Sequence, residues 1–263
     1  MLAGHAPCRC SLKRAGALMA WRLRRSLHER MAMPDREKHF AARAAVGEIA
    51  PGMVIGIGTG TTVAQLIPIL AARVREGLDV RAVATSLATE RAARAAGIAM
   101  IAFEDRASVD LTIDGVDEIE PSLRAIKGAG GALLREKIVA AASTRMVAIA
   151  DSSKFSRAIG ARPVPVEVLP FAREFVLGQL AELGARPVLR MTAGEWARSD
   201  QGNLLIDCTF PGLHGPELAD PDLTARQLSA IPGLLGHGLF LTEIDALYIA
   251  HGEDVARHER PPI

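Results

Sequence analysis

Four short segments gather glycines, hydroxyls, carboxylates and a lysine in patterns suited to ligand binding and proton transfer. In Gly56-Ile57-Gly58-Thr59-Gly60-Thr61-Thr62 the glycines permit a tight turn. Free backbone N–H groups and threonine hydroxyls at a helix start favour an anion such as phosphate there. No Lys follows as in a Walker A loop, and Gly56-x-Gly58-x-Gly60 is not the dinucleotide spacing. A Gly-rich turn capped by threonine is the bland alternative. The second segment, Thr85-Ser86 to Thr89-Glu90, offers hydroxyls that either cap a helix or meet a ligand.

The third segment, Asp114-Gly115-Val116-Asp117-Glu118, ends a buried strand directly in carboxylates. These either hold a divalent metal or accept hydrogen bonds from a polyhydroxylated ligand and move protons. The alternating oxygen ligands of an EF-hand loop are missing, and no His lies close in sequence. The fourth is Lys127-Gly128-Ala129-Gly130-Gly131, which leads into a helix bearing Glu136. A point cation and aligned N–H donors there suit an anion or a developing oxyanion. On the helix, Leu133, Leu134, Ile138 and Ala141 share one face, so periodicity alone sets Glu136 opposite and predicts a solvated carboxylate.

These segments must be carried by a strand-helix alternation. Met53 to Gly58, Val80 to Ala84, Ile98 to Phe103, Leu111 to Ile113 and Met146 to Ala150 read as buried strands. Helices are predicted from an Asp35 N-cap to about Ile49, after Thr62 (with Pro68 ending or kinking it), and from Leu87 to Ala96 before Gly97. This grammar predicts an α/β fold, a doubly wound, mostly parallel sheet whose ligands sit beyond the strands' carboxyl ends. Near Pro163-Val-Pro165 to Pro170 the pattern changes, and the proline spacing predicts a linker or edge strand. Beyond it, a helix over Phe171 to Leu183, a strand over Asn203 to Thr209 and a helix over Leu223 to Ala230 suggest a smaller α+β domain. Gly238 to Phe240 and Ala246 to Ala250 read as strands returning to the first sheet.

The chain has 263 residues, 49% of them apolar, enough for one large core or two smaller ones. No run of about 18 uncharged apolar residues occurs, so no membrane span is expected. With 31 Lys+Arg against 30 Asp+Glu, one Tyr and two Trp, the basic field and stacking aromatics of a nucleic-acid groove are missing. Residues 1–33 hold seven of the basic residues and one acid, leaving a mildly acidic body. They are read as an extension, disordered or loosely helical, outside the fold. Cys8, Cys10 and Cys208 form neither a zinc spacing nor a disulfide framework, which fits a reducing cytoplasm.

Taken together, Gly-Ile-Gly-Thr-Gly-Thr-Thr, Asp-Gly-Val-Asp-Glu, Lys-Gly-Ala-Gly-Gly-Ala-Leu-Leu-Arg-Glu-Lys-Ile, Ala-Asp-Ser-Ser-Lys and Pro-Val-Glu-Val-Leu-Pro make the chain resemble type A ribose-5-phosphate isomerases from about Lys38 onward. The resemblance implies a homodimeric, cofactor-free and metal-independent enzyme interconverting ribose 5-phosphate and ribulose 5-phosphate through an enediolate. It also implies a doubly wound domain over 34–160 plus 232–263, with a ferredoxin-like α+β domain over 161–231 inserted.

Carried over by position, Thr59, Gly60, Thr61 and Thr62 fall on the family's substrate loop, here assigned to phosphate. Asp114, Gly115, Val116 and Asp117 fall on its paired-carboxylate turn, and Lys127, Gly128, Ala129 and Gly130 on its Lys-Gly loop. Glu136 falls on the proton-transferring base, with Asp114 and Lys127 as further catalytic groups. Lys154 falls on a substrate-contacting Lys, and Lys38 sits where another basic residue is usual. Val116 replaces a usual Ala, and Ala129 a usual Gly, costly only if its φ is positive. Two rivals share parts of the pattern. A sugar-phosphate sensor needs a helix-turn-helix that 33 leading residues hardly accommodate. A phosphosugar deaminase or lactonase commonly uses a His, and between Lys38 and Asp207 only His39 occurs.

Overall fold

The computed structural model describes residues 33–105, 107–210 and 220–260. Residues 1–32 of the expected extension, with Cys8 and Cys10, lie outside the described residues; Met33, its last residue, instead opens the first helix. The first half of the chain runs α1 (Met33–Val46), β1 (Val54–Ile57), α2 (Thr61–Arg75), β2 (Arg81–Ala84), α3 (Leu87–Ala95), β3 (Val109–Gly115), β4 (Glu118–Ile119), β5 (Ala125–Ile126), α4 (Leu133–Ala141) and β6 (Ser143–Asp151). A second unit follows with β7 (Val164–Val168), α5 (Arg173–Glu182), β8 (Arg186–Leu189), β9 (Met191–Thr192), β10 (Glu195–Trp196), β11 (Leu204–Thr209), α6 (Pro221–Ser229) and β12 (Leu234–His237). The chain ends with β13 (Leu239–Phe240), β14 (Ala246–His251) and β15 (Asp254–Glu259).

Six strands form the main sheet in the order β15-β14-β6-β3-β1-β2, parallel except for the β15 edge. Every residue of β1 is buried, as expected of a strand covered on both faces. Ile55, Ile57, Leu111, Ile113, Val147 and Ile149 pack toward α1 and α2. On the other face Val139 of α4 meets Val83 and Val109, and Ala140 packs with Met146, Ala148 and Phe240. From β1 the chain moves outward to β2, then returns to β3 on the opposite side. The β1/β3 gap is therefore the topological switch point, where a crevice opens at the strands' carboxyl ends.

The second sheet, β12-β7-β11-β8, is antiparallel and carries two helices in the chain order β7-α5-β8-β11-α6-β12. This is the βαββαβ arrangement of a ferredoxin-like unit. Its edge strand β12 extends past residue 231, where the sequence places the boundary.

Several expectations need correction. Ile98 to Phe103 is not a strand: it touches β2 only around Ala82, through one bridge at Met100, then turns at Phe103–Asp105. β13 joins β5 and β4 in a small separate sheet, so of the two expected returning strands β14 alone enters the first sheet. α1 stops at Val46, and Asp35 lies in its first turn rather than at a cap. Pro68 neither ends α2 nor lies in its buried face; it is exposed, so the carbonyl of Ala64 that it strands faces water. β7 is an interior strand despite its prolines. The Pro165 carbonyl accepts from the N–H of Gly238, so its missing donor also faces the end of β12, where the ladder stops.

Candidate active site

The crevice at the switch point is built from the four segments. Glycine is required at position 58 because a Cβ there would lie 1.9 Å from Asp114 Oδ1. Gly60 takes φ +119 and stands as N-cap of α2 without any side-chain cap, so the first N–H groups of that helix are open to the crevice. The neighbouring helix is the opposite case: Ser86 Oγ accepts from the Thr89 N–H at 3.1 Å and closes the start of α3. Thr85 and Thr89 are spent on structure, with Thr85 Oγ1 2.8 Å from Thr59 Oγ1 and Thr89 Oγ1 donating to the Gly58 carbonyl at 2.9 Å.

Beneath the crevice lies a buried row of charge. Lys127, 2% exposed, reaches Asp114 Oδ2 at 2.9 Å and Glu136 Oε2 at 3.2 Å, and donates to the Gly115 carbonyl. Asp114 Oδ1 accepts from the N–H groups of Thr59 at 3.0 Å and Gly115 at 2.7 Å. No well-aligned hydrogen bond reaches Asp114 Oδ2 or Glu136 Oε2; among the described residues the Lys127 ammonium is the one cation within 4.0 Å of them. Phe240, its ring centroid 5.3 Å from Lys127 Nζ, walls off this side of the row.

The electrostatics follow from one cation shared by two buried carboxylates. Burial alone would lower the Lys127 pKa, but Asp114 and Glu136 more than offset it and hold the lysine cationic, above its usual range. Burial raises Asp114, opposed by Lys127 and by the two backbone donors. Burial also raises Glu136, with the Asp114 charge adding and Lys127 only partly opposing, to about 8. The neutral arrangement of the row is thus an ammonium paired with the better-bonded Asp114 and a Glu136 that keeps its proton near neutrality.

Thr59, Gly60, Thr61, Thr62, Gly115, Val116, Asp117, Lys127, Gly128, Gly130, Glu136 and Lys154 line one cleft. Asp114 lies fully buried below it rather than on its wall. Ala129 lies just outside the cleft wall; its N–H donates to Asp117 Oδ2 at 2.8 Å. Its φ is not positive, so the Cβ carries no backbone penalty; the left-handed positions are Gly128 (+102) and Gly131 (+79). Lys38 does not reach the cleft and pairs with Asp35 at 3.3 Å.

The expectation of a solvated Glu136 is overturned: it is 3% exposed, on the buried face of α4 with Leu133, Val139 and Ala140, whereas Ile138 is 46% exposed. Apolar periodicity misplaced that face because Lys127 gives a carboxylate a partner inside. Sequence reading also missed Arg190, which donates to the carbonyls of Gly128 at 3.2 Å and Ala129 at 3.0 Å from the second unit. More than 60 residues separate it from that loop, and no spacing signal connects them. Among the described residues, no group of three or more His, Cys, Asp or Glu could hold a metal ion.

Residues 81–254 match the family model of ribose 5-phosphate isomerase A (phosphoriboisomerase A). A curated relative from Sphingopyxis alaskensis named ribose-5-phosphate isomerase A is 48% identical over 223 residues, covering 84% of this chain and 96% of the relative. One from Methanosarcina acetivorans with the same name is 44% identical, covering 82% and 90%. Among solved structures, ribose 5-phosphate isomerase from Plasmodium falciparum superposes with a TM-score of 0.81 at 33% identity over 86% of this chain and 98% of that one. A D-ribose-5-phosphate isomerase in complex with phospho-erythronic acid gives 0.81 at 31% identity over 88% and 100%. A switch-point crevice with an open helix start above a buried acid-lysine row is thus found in a chain that belongs to the ribose 5-phosphate isomerase A family, whose members interconvert ribose 5-phosphate and ribulose 5-phosphate.

Proposed function

We propose that isomerisation of ribose 5-phosphate takes place in the cleft between the start of α2 and the start of α4, with Glu136 carrying the proton between C2 and C1. The observation that carries this reading is the pairing of a buried, cation-flanked Glu136 with the open helix start at Thr61 along one cleft. The phosphate is held by the first N–H groups of α2, the hydroxyls of Thr61 and Thr62, and Lys154. Binding there orients the far end of the sugar for reaction.

Ionised Glu136 takes the C2 proton of the open-chain aldose; the C–H electrons become the C1–C2 double bond, and the carbonyl pair moves onto O1. Lys127, held cationic by its two neighbours, stabilises that enediolate electrostatically rather than by giving up a proton. Glu136 returns its proton to C1. Asp117, which lines the cleft where Asp114 does not, passes the hydroxyl proton from O2 to O1 and assists ring opening. Asp114 acts from beneath, fixing Lys127 and the Thr59 N–H. A Glu136 pKa of about 8 makes it a stronger base than an ordinary glutamate while leaving it partly ionised at neutral pH.

The same reading includes a homodimer in the cytoplasm. Phe171 at 96% exposure, with Phe175 and Trp196 on the same unit, supports an apolar association surface. Cys208, the one cysteine among the described residues, is buried and unpaired, in keeping with a reducing compartment. The test of function is incubation with ribose 5-phosphate in the presence of a chelator, following ketose formation. Full turnover is expected; loss of activity on chelation returns the Asp114 turn to its metal reading. Sedimentation velocity is expected to give a dimer at micromolar concentration, and a monomer contradicts the assembly.

A further inference from the structure

The loop after Lys127 must hold its donors still, and within it the Gly131 N–H closes one turn on the Gly128 carbonyl at 3.0 Å. Gly128 and Gly131 sit at φ +102 and +79, and the intervening Ala129 and Gly130 bring no polar side chain. A second constraint arrives from the other sheet. Arg190, between β8 and β9, is gripped by Asp207 of β11 through two parallel bonds, Nε to Oδ2 at 2.9 Å and Nη2 to Oδ1 at 2.6 Å. Its backbone is fixed too, with its N–H on the Leu205 carbonyl at 2.9 Å and its carbonyl on the Ala197 N–H at 2.8 Å. The remaining corner of the guanidinium, Nη1, takes the carbonyls of both Gly128 and Ala129.

In a trans peptide the C=O and N–H point in opposite directions, so holding a carbonyl aims the next residue's N–H. Holding the Gly128 carbonyl turns the Ala129 N–H away from Arg190, and it is found on Asp117 Oδ2 at 2.8 Å. Holding the Ala129 carbonyl likewise turns the Gly130 N–H away from Arg190, and Gly130 lines the cleft near Thr59. We propose that Arg190, oriented by Asp207, is a positioning residue for the isomerisation, aiming the Ala129 N–H at Asp117 and the Gly130 N–H at the reacting oxygens. This rests on the functional reading above and extends it to a side chain that does not touch the substrate. A lysine in its place cannot serve a bidentate carboxylate and two carbonyls together, because its ammonium is a single point donor.

Two readouts on Arg190→Gln, Arg190→Lys and Asp207→Asn test it. In steady-state kinetics with ribose 5-phosphate, Arg190→Gln is expected to lower kcat by about 10- to 100-fold with KM within about threefold, the signature of misaligned groups acting on the transition state. Arg190→Lys and Asp207→Asn should fall between it and the parent. Unchanged kcat in Arg190→Gln, or a rise in KM alone, overturns the proposal. Amide hydrogen exchange at Ala129 and Gly131, whose N–H groups are bonded to Asp117 Oδ2 and the Gly128 carbonyl, is the second readout, expected at least tenfold faster in Arg190→Gln; unchanged exchange overturns the brace whatever the kinetics. If the parent enzyme does not turn over ribose 5-phosphate, the functional reading fails by itself, and the exchange rates still decide whether Arg190 holds the loop.

Discussion

Glu136 and Glu118 are both 3% exposed, and they lie within one stretch of chain, yet their surroundings are opposite in kind. Glu118 accepts from the Ser156 hydroxyl and from the backbone N–H groups of Gly160, Ala161 and Arg162, so both oxygens are occupied where the chain crosses into the second unit. Glu136 faces one shared ammonium, a second acid and a cleft, and its Oε2 has no aligned donor. Burial is common to the two; what separates a structural carboxylate from a reactive one is whether its lone pairs are already taken. A fully bonded acid stabilises a junction, whereas an under-bonded one holds its proton strongly and can exchange it with a ligand.

The contrast predicts a division of effects. Glu136→Gln should lower kcat by about 10³-fold or more with little change in substrate affinity, the scale of losing a positioned general base. Steady-state assay checks it, and retained turnover removes Glu136 from the proton path. Lys127→Ala should lower kcat by about 10²- to 10³-fold, as for removal of a preorganised oxyanion partner. Unchanged kinetics in that variant dismiss its electrostatic role.

Glu118→Gln should do the reverse. It replaces an acceptor oxygen by an amide that faces N–H donors, costing about 3 kcal/mol of stability, while the folded fraction keeps near-parental kcat. Urea titration and kinetics on one preparation separate the two effects.

The smallest effect is on pH dependence. Because the Glu136 pKa is raised to about 8, kcat/KM should climb with pH and level off above that value. The folded state also binds that proton more tightly than the unfolded chain does. The resulting stability is fully present below the unfolded value of 4.5 and is lost as pH rises through about 8. Glu136→Gln should therefore gain thermal stability relative to the parent across that window, and a constant difference in Tm from pH 5 to 9 contradicts it.

Much of the cleft was legible because its chemistry sits where strands end. Gly58, Asp114 and Lys127 could be found from residue type and position alone, and the crevice at the switch point joins them. Apolar periodicity fails at α4, since it has no rule for a buried charge whose partner, Lys127, lies off the helix; it sets Ile138 inward and Glu136 outward. Proline statistics failed at β7, where Pro165 directs its missing donor past the end of β12. The Glu118 junction and the Arg190 fork involve partners about 40 to 60 residues away and leave no local pattern. Lys38 matched by position alone; it pairs with Asp35 and is not on the cleft wall.

Transfer of the C2 hydrogen can be followed directly with ribose 5-phosphate carrying deuterium at C2, by recording label at C1 of the ketose and label lost to solvent. Parent enzyme should move or release the deuterium at the rate of turnover, and Glu136→Gln should leave it at C2. Release or transfer by Glu136→Gln at the parental rate would contradict the assignment of Glu136 as the proton carrier.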